Sequence, residues 1–321
     1  MIMKWFFIPL LALGGCANLS ARLPDIESAD ISTEQVFQEK RAFAEMAVLR
    51  DRLARLSSPV LKANAGLCSR TGPDIGAITH TLKSYPKKLR PAAERELGAS
   101  DDPRIIYVRP DSPAARAGLE SGDILRGAKG GALASPGRKL GAIIENKTKL
   151  VFERDGKITD VMIANEQQCD YPVHLKMTPI INAYATGKSI IMTAGMMDFV
   201  QSDAELAAIL GHELAHNEMG HIRKIITNLV LSGGATRYTR DFESEADYVG
   251  LYYSARAGFE IENVEDIWRR LAKRSVRAIA RPKTHPTYPD RYIRIQAARE
   301  EIKAKQAAGQ TLTPNFKDDD E

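Results

Sequence analysis

Apolar residues recur at helical spacing from Leu206 to Leu214 and give this stretch of chain one continuous apolar face. Just before it, Ser202 and Glu205 stand three apart, which is the spacing of a capping box at the start of a helix. The pattern therefore predicts a buried helix that begins near Asp203.

A second helical pattern lies nearer the start of the chain. Apolar residues at helical spacing follow another capping box, formed by Ser32 and Gln35, and predict an amphipathic helix from Ser32 to Leu56. We expect this helix to pack on the core of the protein. A coiled-coil partner helix is the alternative, although the run is short and lacks regular heptads.

Past this helix the pattern changes to short apolar runs separated by Gly and Pro, which is typical of strands and turns. A short helix, opened by Pro113 and closed by Gly118, interrupts these runs. The predicted strands are Ile105–Val108, Gly122–Leu125, Leu150–Glu153 and Ile158–Ile163, the last two joined by a turn at Asp155-Gly156.

The remaining apolar runs predict one hairpin and further helices. Ile180–Ala185 and Ser189–Thr193 are the strands of the hairpin, whose edge could align a bound peptide or serve only as structure. Tyr248–Ala257 and Val264–Ile279 are predicted helices. The apolar run Ile225–Thr236 is too short to cross a bilayer.

The helix predicted at Asp203 carries a pattern that points to a chemistry. His212 and His216 stand four apart on one helix face, so their imidazoles can converge on a metal ion. Glu213 lies about 100° around the helix and can act on the water that the metal activates. This HExxH pattern is typical of zinc hydrolases, in which the glutamate is the general base.

A catalytic zinc site needs a third protein ligand. Glu243 and Asp247 stand four apart on one helix face, so we predict that Glu243 binds the metal while Asp247 accepts the other ring N–H of a ligating histidine. Glu245 points elsewhere and is the alternative ligand. His221 lies five positions past His216; if the helix continues, its ring points away from the metal, and we predict a polar or core-edge residue.

Four motifs together resemble those of the HtpX-like and CAAX-prenyl-protease-like gluzincins, in particular their soluble periplasmic branch. The motifs are HELAH, ESEAD, NAYATG at Asn182–Gly187 and THPTYPDR at Thr284–Arg291, in the family's order. In that family the two histidines and the first glutamate of ExxAD bind zinc, which implies His212, His216 and Glu243 as ligands of one Zn²⁺ per chain. The integral-membrane members carry long apolar segments around the core, and this sequence shows none there.

The resemblance implies a fold as well as a site. It implies an α+β protein whose mainly helical gluzincin metalloprotease core carries a small β-hairpin or sheet. It also implies an endopeptidase that acts on misfolded or membrane-associated proteins.

The stretch from Pro110 to Leu125, PDSPAARAGLESGDIL, resembles bacterial PDZ domains. Such domains capture an extended peptide as an added strand at a sheet edge. The resemblance implies a small β-rich PDZ-like domain that binds or gates substrates ahead of the protease core. The alternative is a domain that has lost its groove and serves as a spacer.

The first residues resemble an export signal. Lys4 precedes an apolar run from Trp5 to Leu13, which suits a signal peptide and is too short to span a bilayer. Small residues directly before Cys16 resemble a bacterial lipobox, with Cys16 as the acylated first residue; an ordinary signal peptide is the alternative. We expect a lipid-anchored protein of the bacterial periplasm, and Ala17 favours the outer over the inner membrane.

Cys68 and Cys169 are the other two cysteines of the chain. In an oxidising compartment such a pair predicts a disulfide, and two free buried thiols are the alternative. The bridge would close the neck of the β-rich stretch between them.

A zinc peptidase also needs a group that stabilises the oxyanion, and the Pro-rich loop after the helix Val264–Ile279 offers two candidates. His285 or Arg291 could supply this help as a catalytic group. Alternatively, His285 could occupy the open zinc position and keep the enzyme latent. A third reading is that the loop only packs, with Arg291 paired to an acid.

These features predict a signal peptide at 1–15, an anchor linker and amphipathic helix at 16–66, a PDZ-like domain at 67–168, a zinc metallopeptidase domain at 169–306 and a disordered tail at 307–321. We expect a zinc metalloendopeptidase that cleaves unfolded or envelope proteins in protein quality control. The alternatives are a chaperone-like binding protein with a latent metal site and a hydrolase of small peptides or cell-wall peptides. With 45 basic and 41 acidic residues, the formal net charge of +4 is too balanced to favour nucleic acid as a partner.

Overall fold

The computed structural model describes residues 23–133, 149–231, 239–274 and 289–315, and it shows the predicted α+β class. Its helices are α1 (Ser28–Ala63), α2 (Arg90–Leu97), α3 (Pro113–Arg116), α4 (Ala194–Phe199), α5 (Asp203–Glu218), α6 (His221–Leu231), α7 (Thr239–Arg256), α8 (Asp266–Arg274) and α9 (Pro289–Ala307). Its strands are β1 (Thr71–Asp74), β2 (Ala77–His80), β3 (Arg104–Val108), β4 (Ile124–Arg126), β5 (Lys149–Arg154), β6 (Lys157–Met162), β7 (Glu166–Cys169), β8 (Val173–Lys176), β9 (Ala183–Ala185) and β10 (Ile190–Thr193). Cys16 and His285 lie outside the described residues.

The β-rich part is an antiparallel sheet in the order β2-β3-β4-β5-β6, with its own apolar core. Ser112 caps α3 by accepting a hydrogen bond from the backbone N–H of Ala115, and Gly118 ends this segment in the left-handed region at φ 76°. Asp155 and Gly156 both have positive φ and form the tight turn of the β5–β6 hairpin. The predicted strand and turn pattern is therefore confirmed in this part of the chain.

A two-stranded ribbon connects the β-rich part to the rest of the protein. Strand β1 leads into the sheet, β7 leads out of it, and the two pair antiparallel with Thr71 opposite Cys169. A disulfide joins Cys68 to Cys169, whose Cα atoms are 5.5 Å apart. The entry and exit of the β-rich part are thus held together both by the ribbon and by a covalent bond.

Helices form most of the second core. Helices α5 and α7 pack directly on each other, and α9 packs on α7. The small sheet β8-β10-β9 lies beside α5, with β9 at its edge. Residues of α1, β10, α5, α7 and α8 share one continuous apolar core.

Helix α1 is longer than predicted and only partly packed. It begins at Ser28 after Glu27, so Ser32 lies inside the helix and its hydroxyl donates to the carbonyl of Ala29 at 2.8 Å instead of capping. No Gly or Pro precedes Ser32 within the helix to delay its start. The second half, from Phe43 onward, is buried at helical spacing, whereas Phe37 in the first half is 52% exposed.

Helix α8 begins at Asp266, two residues later than predicted, and residues 275–279 of the prediction lie outside the described part of the chain. Across residues 23–133, 149–231, 239–274 and 289–315, none of the helices combines the length and the apolar character that crossing a bilayer requires.

Candidate metal centre

Helix α5 begins at Asp203, as predicted, with Ser202 as its N-cap. The hydroxyl of Ser202 accepts a hydrogen bond from the backbone N–H of Glu205 at 3.1 Å, while the Glu205 carboxylate accepts one from the N–H of Gln201. From this start the helix buries almost its whole length, including the HExxH residues. Such burial of His212 and His216 requires that their ring nitrogens find partners.

The partners include a carboxylate of the neighbouring helix. The Nε2 atoms of His212 and His216 face each other at 3.0 Å, and the Glu243 carboxylate lies 3.5 Å and 3.4 Å from them. One donor atom from each of the three side chains falls within 4.8 Å of the other two. All three side chains are buried.

Asp247 supports the first histidine from one turn further along α7. Its Oδ1 lies 2.9 Å from Nδ1 of His212, on the side of the ring opposite to Glu243. Arg291, from α9, donates two hydrogen bonds to this carboxylate and is itself 1% exposed. Arg291 is thus paired with an acid, as one of the predictions for the Pro-rich loop had it.

Glu245 contacts His221, and His221 in turn contacts His216 of this cluster. Nε2 of His221 is 2.8 Å from Oε2 of Glu245, and its Nδ1 is 3.0 Å from Nδ1 of His216. Glu245, the alternative ligand, is thus engaged with His221 and not with the three clustered side chains. The hydrogen bond to His221 is the largest cause that lowers the pKa of Glu245.

His221 itself differs from the prediction of a core-edge residue, because it is fully buried. The reason is local: α5 ends at Glu218, Gly220 takes the left-handed region at φ 65°, and a new helix begins at His221. The break turns the ring of His221 back towards His216. A continuous helix, which the sequence argument assumed, would have directed it elsewhere.

The pKa values of the two clustered histidines are shifted in opposite directions. Burial alone would lower the pKa of His212, but the hydrogen bonds to Asp247 and Glu243 outweigh it and raise the pKa to about 10. Burial lowers the pKa of His216 from its ordinary value. The acids around His212 thus favour a positive charge on its ring, beside that of Arg291, which pairs with Asp247 and Glu243; a divalent cation can take over the part played by His212.

The donor set fits zinc. Two imidazole nitrogens and one carboxylate are a common set of protein ligands in catalytic zinc sites. The Nδ1 atoms of both rings face other partners, so both Nε2 atoms are directed to the same point as Glu243. Glu213, on the same helix, is 1% exposed and its charge acts on His216.

Trp268 is a neighbour of the cluster that the sequence argument missed. Its ring centroid lies 5.4 Å from that of His212. The guanidinium carbon of Arg291 lies over the Trp268 ring, 4.5 Å from its centroid. Trp268 is itself buried and thus lies between His212 and the guanidinium that pairs with Asp247. No sequence motif marked this residue, which lies in the predicted helix Val264–Ile279.

The hairpin of β9 and β10 is fixed to the end of α5. Asn217, directly after His216, accepts a hydrogen bond from the N–H of Gly187 and donates one to the carbonyl of Ser189. Both partners lie in the turn of the hairpin. This clamp places the edge strand Ala183–Ala185 beside the helix that carries the HExxH pattern.

The chain is similar to known metallopeptidases over its second half. Residues 156–232 and 224–302 match the model of Peptidase family M48. The mitochondrial metalloendopeptidase OMA1 of Arabidopsis thaliana is 30% identical over 119 residues, 30% of this chain and 24% of that protein. The putative beta-barrel assembly-enhancing protease of Vibrio cholerae serotype O1 is 26% identical over 191 residues, 49% of this chain and 39% of that protein.

A further relative is the OMA1 of Schizosaccharomyces pombe, 24% identical over 164 residues, which are 42% of this chain and 49% of that protein. The chain thus spans less than half the length of these curated relatives. Among solved structures, the HtrA3 PDZ domain bound to a phage-derived ligand is 23% identical, with a TM-score of 0.24, and covers 30% of this chain and 88% of that domain.

Proposed function

Since residues 156–232 and 224–302 match the model of Peptidase family M48, we propose that the protein is a zinc-dependent metalloendopeptidase that hydrolyses peptide bonds within protein substrates. The observation that carries the proposal is the convergence of His212, His216 and Glu243 on one point. The HExxH glutamate, Glu213, is buried on the same helix. These residues supply the ligands and the base that amide hydrolysis needs.

In this proposal each residue of the centre has a separate role. His212, His216 and Glu243 hold the zinc ion, and Asp247 orients the ring of His212 through Nδ1. A bound zinc ion would supply Lewis-acid chemistry, polarising the scissile carbonyl and lowering the pKa of water. Glu213 takes the proton of the attacking water and passes it to the leaving amine.

Substrate alignment falls to β9. It is the edge strand of its sheet, and among the described strands it pairs only with β10. An extended peptide can add to such an edge through backbone hydrogen bonds. The two hydrogen bonds of Asn217 to the hairpin turn hold this edge at a fixed position beside the metal ligands.

The β-rich part is proposed to capture or gate substrates as a PDZ-like domain. The motif between Pro110 and Leu125 supports this assignment. Strand β2 is likewise an edge strand of its sheet, and within the part of the chain that the structure describes it pairs with β3 alone. It offers a second edge to which an extended peptide can add.

We place the protein in the bacterial periplasm, anchored by lipid on Cys16 and favouring the outer membrane, with unfolded or envelope proteins as substrates. The lipobox-like sequence supports the anchor. The bond between Cys68 and Cys169 suits an oxidising compartment. Labelling of cells with radioactive palmitate, followed by fractionation, tests the location: wild type should be labelled in the outer-membrane fraction and Cys16→Ser should not.

The experiment that tests the activity is zinc analysis and digestion of unfolded casein by the full chain, purified in mild detergent. We expect about one zinc per chain in the wild type. Glu213→Gln should keep the zinc but lose cleavage by about 10²- to 10⁴-fold, because a carboxamide cannot accept the proton. Glu243→Ala should lose both zinc and cleavage.

Other outcomes lead to different conclusions. If Glu245→Ala is free of zinc while Glu243→Ala retains it, the ligand assignment is wrong. A wild type that binds zinc but cuts neither casein nor short peptides would contradict the proposed activity in favour of a latent or binding protein. His285→Ala would then test whether His285 is the group that blocks the zinc.

A further inference from the structure

One buried histidine near the metal centre has no role in the mechanism above. His221 contacts His216 through a pair of Nδ1 atoms at 3.0 Å, and the two rings meet nearly edge to face at 78°. Its other nitrogen, Nε2, is 2.8 Å from the Glu245 carboxylate. Both nitrogens of His221 are therefore engaged, and neither is available as a metal ligand.

The contact between two Nδ1 atoms determines where the protons lie. In a neutral imidazole one nitrogen carries the proton and the other carries the lone pair. Nε2 of His216 faces His212 and Glu243, so Nε2 must offer its lone pair to the metal and Nδ1 must carry the proton. His216 therefore donates from Nδ1, and Nδ1 of His221 accepts.

The contact between His221 and Glu245 has a defined direction as well. Because Nδ1 of His221 is an acceptor, its proton lies on Nε2, and Nε2 donates it to Glu245. Each contact then has one donor and one acceptor along the series His216, His221, Glu245. The other tautomer of His221 would set two N–H groups against each other at His216 and two lone pairs against each other at Glu245.

The arrangement mirrors that of the other ligand. His212 directs Nδ1 straight to the carboxylate of Asp247, whereas His216 reaches the carboxylate of Glu245 through the ring of His221. Both carboxylates come from α7. Each ring of the pair that faces the metal is thus backed by one acid of the same helix.

The ring of His221 is itself held in place. Phe242 stacks on it at a centroid distance of 4.6 Å and an interplanar angle of 20°. The helix break at Gly220 fixes the backbone on the other side. A ring locked by stacking and by two hydrogen bonds can impose its orientation on its neighbour.

We propose that His221 is a positioning residue for the metal centre: with Glu245 behind it, it fixes the Nδ1–H tautomer and the ring orientation of His216, so that Nε2 is presented to zinc. This inference rests on the proposed function. It assigns Glu245, the acid that the helix-face argument left as an alternative ligand, to the support of a histidine instead.

The test is the zinc affinity of the full chain, stripped with a chelator and titrated with zinc against a competing indicator dye. His221→Leu removes the acceptor, and loss of such a partner should weaken zinc binding by about 10- to 100-fold. His221→Asn places Oδ1 where Nδ1 lay, so it should bind zinc nearly as tightly as the wild type. Glu245→Ala, a change at a half-buried side chain, should give a smaller loss than His221→Leu.

His80→Leu is the matched control, because His80 is also a buried histidine, hydrogen-bonded to Tyr85 beside a separate apolar cluster that includes Phe43. It should lower stability without changing zinc affinity. The cobalt-substituted protein adds a spectroscopic readout: the visible bands should shift in His221→Leu and stay in place in His221→Asn. Unfolding of the metal-free variants shows whether each one is folded.

Three results would overturn the inference. Zinc affinity that is unchanged in His221→Leu, or lowered equally in His221→Asn and His221→Leu, would reduce His221 to a packing residue while leaving the proposed function intact. If His221→Leu does not fold, wild-type affinity in Glu245→Ala has the same consequence. A wild type that binds no zinc contradicts the proposed function first.

Discussion

Gly211 and Gly250 touch where α5 crosses α7. A Cβ atom on Gly211 would lie 2.3 Å from the carbonyl oxygen of Gly250, and one on Gly250 would lie 2.6 Å from the backbone nitrogen of His212. The two helices therefore meet backbone to backbone, with no room for a side chain. This approach brings Glu243 and Asp247 of α7 within reach of the histidines of α5.

Gly250→Ala should consequently separate the helices. An alanine ordinarily stabilises a helix interior by about 0.5–1 kcal/mol relative to glycine. Here the added methyl group meets backbone atoms that cannot rotate away, so we expect a net loss of about 2 kcal/mol or more in the free energy of unfolding. Urea unfolding of the metal-free protein measures this loss, and zinc titration should show weaker binding.

Gly66→Ala is the control, since a Cβ atom there meets nothing within 4 Å. Its unfolding midpoint should stay close to that of the wild type. Equal stability of Gly250→Ala and the wild type would contradict the prediction, since it would show that the two helices can move apart at no cost.

Arg291 and Asp247 form a buried ion pair in which each charge stabilises the other. Burial opposes ionisation of Asp247, but the charge of Arg291 and the hydrogen bond to His212 hold its pKa below the ordinary value. Arg291→Met leaves this carboxylate without its main counter-charge, so we expect a loss of about 3–5 kcal/mol in stability. Urea unfolding measures this loss. Arg116→Met, which removes the exposed half of the ion pair with Glu166, is the control and should cost less than about 1 kcal/mol.

Adding Asp247→Asn to Arg291→Met separates pairing from packing. A neutral carboxamide needs no counter-charge, so the double variant should recover part of the stability that Arg291→Met loses. Strictly additive losses in the two single variants would show that the two side chains contribute independently.

The proposed metal ligands were accessible to sequence reasoning because each depends on helix periodicity. His212 and His216 share a face of α5, Glu243 and Asp247 share a face of α7, and the structure places these faces opposite each other. His221 was misjudged because the argument extended α5 past Gly220, where a left-handed residue ends it. Periodicity cannot foresee such a break, although a glycine directly before His221 was the available signal.

The start of α1 shows the opposite limit. A capping box at Ser32 was a good local signal, but the residues before it also suit a helix, and the longer helix prevails. The contacts of Trp268 with His212 and Arg291 depend on how α8 packs beside α5 and α9. Contacts between elements so far apart in the chain are not encoded in the spacing of either one.

The bond between Cys68 and Cys169 closes a loop with a sequence separation of 101 residues. A loop of this length restricts the unfolded chain strongly, and the chain-entropy estimate of the stabilisation is about 4–5 kcal/mol. The variant Cys68→Ala/Cys169→Ala should therefore unfold at a clearly lower urea concentration than the oxidised wild type. Its midpoint should not respond to dithiothreitol, whereas a double variant as stable as the oxidised wild type would contradict the prediction.

His80 should make the stability of the β-rich part depend on pH in a defined window. Burial, and then the charges of Arg104 and Arg50, lower the pKa of His80 to about 4, and its Nδ1 is hydrogen-bonded to the hydroxyl of Tyr85 at 2.8 Å. In the unfolded chain the ordinary pKa is about 6.5, so between pH 6.5 and 4 the unfolded state binds a proton that the folded state does not. Stability should fall as the pH falls through this window, with a slope that approaches about 1.4 kcal/mol per pH unit.

His80→Asn removes this titrating group while keeping a polar atom for Tyr85. As the pH falls from 6.5 to 4, its urea midpoint should therefore rise relative to that of the wild type. Other groups titrate in both proteins alike, and the difference between the two midpoints therefore isolates His80. Below pH 4 the folded state is protonated as well, and the difference should stop growing. A difference that stays constant from pH 7 to pH 4 would mean that His80 accepts a proton in the folded protein as readily as in the unfolded chain.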